Sequence, residues 1–257
     1  RAPKVAVINV NTPMSNETPS GFADLGVPAA LVASLAARGI DAPFPIQTKT
    51  LPDTLAGRDV LGRGKTGSGK TLAFALPLVA RLHGVRTAPN RPTGLVLAPT
   101  RELATQITAT VEPLAKASGL TVTTIFGGVA QSRQVSALRA GADIVVACPG
   151  RLEDLMRQKL ISLDAVRVTV IDEADHMADL GFLPGVTRIL AATPADAQRL
   201  LFSRSRLACG PRGPHPGRSP IQRGRCASRA RRRCRPSSAC ASRCVTAAGR
   251  SGASPGT

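Results

Sequence analysis

The 257-residue sequence predicts one α/β domain, a mostly parallel sheet with helices on both faces, followed by a basic tail. Three observations carry that expectation. Short runs of Val, Ile and Leu alternate with helical patterns along residues 21–203. One such run leads into a glycine-rich turn that opens a helix. The composition then breaks abruptly at residue 204.

Residues 1–20 hold one apolar run, Val5 to Val10, and then a polar stretch with Pro13 and Pro19; they read as an extended leader. The expected strands are 60–61, 94–98, 122–126, 144–147, 168–171 and 200–202. Several are continuous aliphatic runs, which suit strands covered on both faces in a parallel sheet. Helical patterns between them include 71–82, 101–117, 131–140 and 151–158. Gly84, Pro89 and Pro92 break the stretch 83–92, which reads as a surface loop.

The formal net charge of +18 favours polyanionic partners. No run of 18 apolar residues occurs, so no membrane span is expected. Six Phe with no Trp or Tyr argue against an aromatic platform for nucleic-acid bases. The charge is unevenly spread. Residues 1–203 hold 21 basic and 16 acidic residues, whereas 204–257 hold 13 Arg and no Lys, Asp or Glu. The same tail carries five of the six Cys and only three large aliphatics, Leu207, Ile221 and Val245. It cannot bury enough apolar surface to offset chain entropy, so disorder is expected there. No signal segment is visible, and the expected compartment is the reducing cytoplasm, where the tail thiols stay unpaired.

The glycine-rich turn is Gly64-Lys65-Thr66-Gly67-Ser68-Gly69-Lys70-Thr71, which fits G-x-x-x-x-G-K-[ST]. Gly67 and Gly69 let the backbone wrap with its N–H groups inward. Lys70 is placed to reach the β- and γ-phosphates of a nucleotide, and the Thr71 hydroxyl to ligate Mg²⁺. Gly62, Gly64 and Gly67 also match the dinucleotide pattern G-x-G-x-x-G. That fold requires an acid about 20 residues later for the ribose. No Asp or Glu lies between Asp59 and Glu102, which argues against it. Farther on, the run 168–171 leads into Asp172-Glu173-Ala174-Asp175. Acids at the C-terminal end of a strand sit where α/β sheets place their sites. Asp172 is suited to Mg²⁺, and Glu173 to orienting and deprotonating a water. The plainer alternative is acidic capping of the following helix.

Taken together, these segments resemble the first RecA-like domain of DEAD-box RNA helicases. Gly39-Ile40-Asp41-Ala42-Pro43-Phe44-Pro45-Ile46-Gln47 resembles the family's Q motif, with Phe22 as its upstream aromatic. Residues 64–71 match motif I, with Gly64 where Ala is usual. Pro99-Thr100-Arg101-Glu102-Leu103-Ala104 matches motif Ia, Gly127-Gly128 the glycine pair, and Pro149-Gly150-Arg151 motif Ib, preceded by Cys148 in place of Thr. Asp172 to Asp175 spell motif II. The resemblance implies ATP and Mg²⁺ as cofactors and RNA as partner. It assigns the nucleotide to Phe22, Gln47 and residues 64–71, with Gln47 reading the adenine edge and Phe22 stacking near the base. It assigns catalysis to Lys70, Asp172 and Glu173, and Mg²⁺ to Thr71 and Asp172. It assigns RNA to Pro99, Thr100, Arg101, Gly128, Pro149, Gly150 and Arg151.

The resemblance stops at Ser203. The family's Ser-Ala-Thr is due there, but the chain reads Ser203-Arg204-Ser205. Nothing in 204–257 matches the second RecA-like domain or its arginine finger, so this chain is expected to supply only the ATP-binding half. Out-of-frame translation of GC-rich DNA accounts best for a tail that loses every acid, Lys and Phe in mid-motif. An Arg-rich RNA-binding tail is the rival account. A zinc site is disfavoured, because the tail Cys spacings of 17, 8, 6 and 4 contain no C-x-x-C. If the tail binds RNA, deleting 204–257 will flatten the salt dependence of RNA affinity, measured by filter binding across a salt series. An unchanged slope would show that it contributes nothing.

Overall fold

The computed structural model describes residues 5–9, 21–85 and 87–204. The expectation of a disordered tail therefore falls almost wholly outside the described residues. Among these described residues seven strands form one sheet: β1 (Val5–Asn9), β2 (Asp59–Arg63), β3 (Gly94–Leu97), β4 (Val122–Ile125), β5 (Ile144–Ala147), β6 (Val168–Ile171) and β7 (Gln198–Ser203). Their spatial order is β1-β2-β7-β6-β3-β5-β4, and every pairing is parallel. Part of the expected extended leader is thus an edge strand, with Val5 opposite Asp59 and Asn9 opposite Arg63.

The helices are α1 (Ala29–Ala36), α2 (Pro45–Leu55), α3 (Lys70–Leu82), α4 (Arg101–Ala117), α5 (Gln131–Arg139), α6 (Pro149–Arg157), α7 (Ala174–Asp179) and α8 (Leu183–Ala191). Along the chain the strands move outward from β1 to β4 and then return through β5, β6 and β7. Crossovers between parallel strands are right-handed. Reversing direction therefore moves the connecting helices from one face to the other. On the outward face α2 packs on α3, α3 on α4 and α1 on α4; on the return face α6 packs on α8. Arg188 of α8 and Glu153 of α6 reinforce that second contact at 2.7 Å.

The strand interiors are buried, as continuous aliphatic runs require. Val60, Leu200, Val170, Val96 and Val146 stand in register across five strands and belong to the core beneath α1–α4. The central helix α3 is buried from Ala73 to Val79, as expected for a helix apolar on all sides. The ring of Phe74 meets Phe202 of β7 at 5.5 Å between centroids, tilted 56°.

That ring pair explains one glycine. Gly62 lies opposite Phe202 in the register. A Cβ there would fall 2.5 Å from Cε1 of Phe202. The first glycine of the apparent dinucleotide pattern therefore makes room for a core ring rather than for a pyrophosphate. Gly62→Ala is expected to destabilise the domain by about 1–3 kcal/mol through overpacking. Urea denaturation would reveal this as a lower midpoint, and an unchanged midpoint would contradict the packing argument.

Candidate functional site

In a sheet whose strands all point one way, every strand-to-helix turn opens at the same edge. The turn after β2 is the expected phosphate loop. Gly67 and Gly69 have φ of 78° and 83°, in the left-handed region that favours glycine. Gly69 caps α3 without using any side chain, so the first N–H groups of the helix face the loop interior. Lys65, Thr66 and Gly67 are exposed at the crest, while Gly64, Ser68, Gly69 and Thr71 are half-buried and Lys70 is buried. Lys70 Nζ donates to the carbonyls of Gly64 at 2.8 Å and Lys65 at 3.2 Å.

Gln47 ties the first turn of α2 to this loop. Its Oε1 accepts from the Phe44 N–H at 2.8 Å, and its Nε2 donates to the Gly69 carbonyl at 3.0 Å. It is wholly buried, not a surface helix residue. A Cβ on Gly69 would lie 2.5 Å from Gln47 Nε2 and 2.7 Å from Phe44 Cδ2. The loop is thus shaped from beneath by these two side chains. Phe22 is 2% exposed and belongs to the core. The exposed aromatic beside the loop is Phe44, at 53%.

The turn after β6 carries the acids, two strands from β2 with β7 between. Asp172 is 3% exposed, and its Oδ1 accepts from the Glu173 N–H at 2.9 Å. The N-cap residue Glu173 makes no side-chain cap bond to α7, while Asp175 lies in the first turn of the helix. Burial pushes the Asp172 carboxyl up to about 6, against the pull of the Lys70 charge. Burial likewise lowers Lys70, and the charges of Asp172 and Glu173 oppose that shift. Glu173 adopts φ 50°, ψ 48°, unusual for a residue with a Cβ. Its Oε2 lies 3.3 Å from His176 Nδ1, and its Oε1 lies 3.8 Å from Arg204 Nε. Ala174 is buried and Asp175 half-buried.

The turns after β3, β4 and β5 form a second row on the other half of the sheet. Pro99 is buried there, and the Thr100 hydroxyl caps α4, accepting from the Leu103 N–H at 3.2 Å. The Arg101 guanidinium lies 5.3 Å over the Phe126 ring. Gly128 has φ 78°, which favours glycine, and a Cβ there would meet the movable Nη1 of Arg101 at 2.5 Å. Arg151 donates from Nη1 to the Val129 carbonyl at 3.4 Å. Pro149 and Gly150 begin α6, Gly150 exposed with open space around it. Burial pushes the Cys148 thiol up to about 11, which favours its protonated form.

A family model described as DEAD/DEAH box helicase matches residues 44–205. The chain belongs to that family. DEAD-box ATP-dependent RNA helicase 24 of Oryza sativa subsp. japonica is 44% identical over 184 residues, 71% of this chain and 24% of that protein. ATP-dependent RNA helicase RhlB of Sodalis glossinidius is 44% identical over 195 residues, 72% of this chain and 46% of that protein. The solved structure of the RNA-helicase Prp28 from Chaetomium thermophilum bound to ADP matches with a TM-score of 0.68 and 37% identity, covering 76% of this chain and 46% of that one. A DEAD box protein from Methanococcus jannaschii matches at 0.65 and 34%, covering 72% and 50%. This chain spans between about a quarter and a half of the length of these relatives.

Set against the DEAD/DEAH box motifs, one edge of the sheet gathers the expected site residues that lie on its strand-to-helix turns. Lys70, Thr71, Asp172 and Glu173 share the half built on β2, β7 and β6. Thr100, Arg101, Gly128, Gly150 and Arg151 share the half built on β3, β5 and β4. Sequence reasoning passed over Phe44, His176 and Arg204. Phe44 lies inside the motif already quoted, but only the fold lays it against Gly69. His176 is three residues beyond Glu173, one helical turn, a spacing that pairs side chains on a helix.

A buried acid raised to about 6 weighs against folding when ionised, and that penalty lifts as pH falls through about 6. In chain free of nucleotide and Mg²⁺, Asp172→Asn is therefore expected to gain about 1–2 kcal/mol of stability near neutral pH. The gain should vanish at about pH 4. Thermal midpoints of both proteins across pH test this; a less stable Asn variant at neutral pH would contradict it.

Proposed function

We propose that this chain is the ATP-binding half of an ATP-dependent RNA helicase, coupling ATP binding and hydrolysis to RNA binding and local duplex opening. One observation carries the reading: a phosphate loop with a buried Lys70 stands two strands from a buried Asp172 and from Glu173, and both acidic charges act on Lys70. A carboxylate that burial destabilises is a fitting ligand for a divalent cation, and Thr71 opens the facing helix. Thr71 and Asp172 would hold Mg²⁺, which neutralises phosphate charge during phosphoryl transfer. Lys70 would exchange its two loop carbonyls for phosphate oxygens. Glu173 would orient and deprotonate the attacking water. Gln47 would support the base-side wall from below, with one N–H and one lone pair left over from its internal bonds.

RNA would lie along the second row. Backbone N–H groups at Gly128 and at the start of α6 suit phosphate oxygens, and Arg101 and Arg151 add charge. The two rows occupy opposite halves of one edge, so ATP and RNA would bind side by side. The cytoplasm is the proposed compartment.

A second reading concerns the chain by itself. It spans 24–46% of the relatives compared in sequence, and a helicase core closes two domains on its RNA. The polypeptide alone would then bind ATP and RNA without unwinding.

Lys70→Ala is expected to remove most nucleotide affinity, and Glu173→Gln to retain binding while suppressing hydrolysis. Calorimetric titration and a phosphate-release assay read the two effects. Unchanged affinity in the first variant, or retained turnover in the second, would refute the role assigned. Phosphate release by the wild-type chain with and without RNA separates the two readings, since robust stimulation would exclude a mere binding module.

A further inference from the structure

Arg204 is the first residue beyond β7, at the position where the chain departs from the family's Ser-Ala-Thr. The sheet dictates where its side chain goes. β7 runs between β2 and β6, and Ser203 is in register with Arg63. The Gly64 N–H donates to the Ser203 carbonyl at 3.2 Å, joining the end of β7 to the start of the phosphate loop. The next residue therefore emerges between the phosphate loop and the acidic turn. A small side chain there would leave that gap open. Arginine instead sends a guanidinium into it.

The contacts agree with that placement. Arg204 Nε lies 3.8 Å from Glu173 Oε1, and the Arg204 side chain is 49% exposed. This separation is an ion pair without a formed hydrogen bond, so the guanidinium keeps its donors for another acceptor. The other Glu173 oxygen faces His176 Nδ1 at 3.3 Å. The Arg204 charge also acts on Lys70 and lowers it further, so the two cations lie within electrostatic reach of each other. A guanidinium presents a planar fork that matches phosphate oxygens and competes well for them against a single long contact to a carboxylate. In a phosphate loop the lysine serves the β- and γ-phosphates. A second cation, placed against Glu173, would have the terminal phosphate within its field.

We infer that Arg204 is a specificity residue for the terminal phosphate, resting on Glu173 and transferring to the γ-phosphoryl oxygens when a nucleoside triphosphate binds. The inference rests on the nucleotide-binding reading of the site. The transfer makes and breaks no covalent bond. It exchanges one anionic partner for another, and it frees Glu173 Oε1 while Oε2 keeps its contact with His176. A diphosphate lacks the group that draws Arg204 away, so Arg204 adds nothing to its binding. The consequence is discrimination of triphosphate from diphosphate within a single domain.

The test compares affinities for ADP and for the β,γ-imido analogue of ATP, with Mg²⁺, by displacement of a fluorescent ADP from the full chain. Wild type is expected to favour the triphosphate. Arg204→Ala should weaken the triphosphate roughly tenfold, the loss of one charge-assisted contact, and leave ADP unchanged. Arg204→Lys should recover part of the loss, because charge returns without the fork. Glu173→Gln removes the resting partner and should tighten the triphosphate, and adding Arg204→Ala should cancel that gain. Equal losses for both nucleotides, an unchanged ratio, or tighter triphosphate binding by Arg204→Ala would overturn the inference while leaving the nucleotide site standing. Failure of the wild-type chain to bind ADP would overturn the nucleotide reading, and with it the role of Arg204.

Discussion

A parallel strand must begin at the same edge as its neighbour, and that constraint organises the whole domain. Each strand is followed by a crossover rather than a hairpin. The two edges of the sheet consequently differ in kind. At the edge where strands begin, polar groups are closed on one another. Asp143 Oδ2 accepts from the Thr121 N–H and hydroxyl, both at 2.8 Å. Gln198 Nε2 donates to the carbonyls of Thr54 at 2.9 Å and Arg58 at 2.8 Å, and Asp59 Oδ1 accepts from the Arg199 N–H at 2.8 Å. These bonds pin neighbouring elements and leave little for a ligand. At the edge where strands end, the turns after β2 through β7 carry glycines, backbone N–H groups and charges that face outward. The chemistry follows the polarity of the sheet.

Charge makes the contrast sharper. A folded domain rarely buries an ion without a strong partner. Here Lys70 and Asp172 are both below one-tenth exposed, and burial disfavours the ionised form of each. Each is held partly by the other's charge. The site also keeps Glu173 in a left-handed conformation, where a β-carbon is crowded. These features lower stability and serve no packing purpose. In the proposed reading their sense lies in the ligand: a phosphate chain would answer Lys70, and a divalent cation would answer Asp172. Departures from local structural preference collect at functional sites for this reason.

What could be read from the sequence divides along the same physical line. The six expected strands fall within two residues of the observed ones, because a strand covered on both faces must be continuously aliphatic. β7 extends beyond the expected 200–202 since Gln198 is buried through its amide bonds, which no hydropathy pattern reveals. α2 was hidden for a related reason. Its buried face includes Gln47, Thr48, Thr50 and Thr54. The hydroxyls of Thr50 and Thr54 satisfy themselves on carbonyls one turn back, at 2.8 and 2.9 Å. Polar residues can then line a core face without the apolar period that marks a helix. Within the site, residue type and spacing exposed Lys70, Thr71, Asp172 and Glu173. They could not expose Phe44 against Gly69, because that contact joins segments 25 residues apart through the packing of α2 on α3.

The net charge of +18 is the least informative number in the sequence, and its distribution is the most informative. Up to residue 203 the basic residues outnumber the acids by only 21 to 16. An ordinary domain surface accounts for that excess, so the argument for an anionic ligand on that domain rests on placed groups such as Lys70, Arg101 and Arg151. The charge rises from residue 204 onward, where the last strand of the sheet has just ended. In this topology that position is not peripheral. β7 is flanked by the strands that lead into the phosphate loop and the acidic turn, so the residue that follows it, Arg204, enters the site. A change of composition at the end of an edge strand would have left the chemistry untouched. At the end of β7 it puts a guanidinium against Glu173, and the first residue of the altered sequence becomes part of the site.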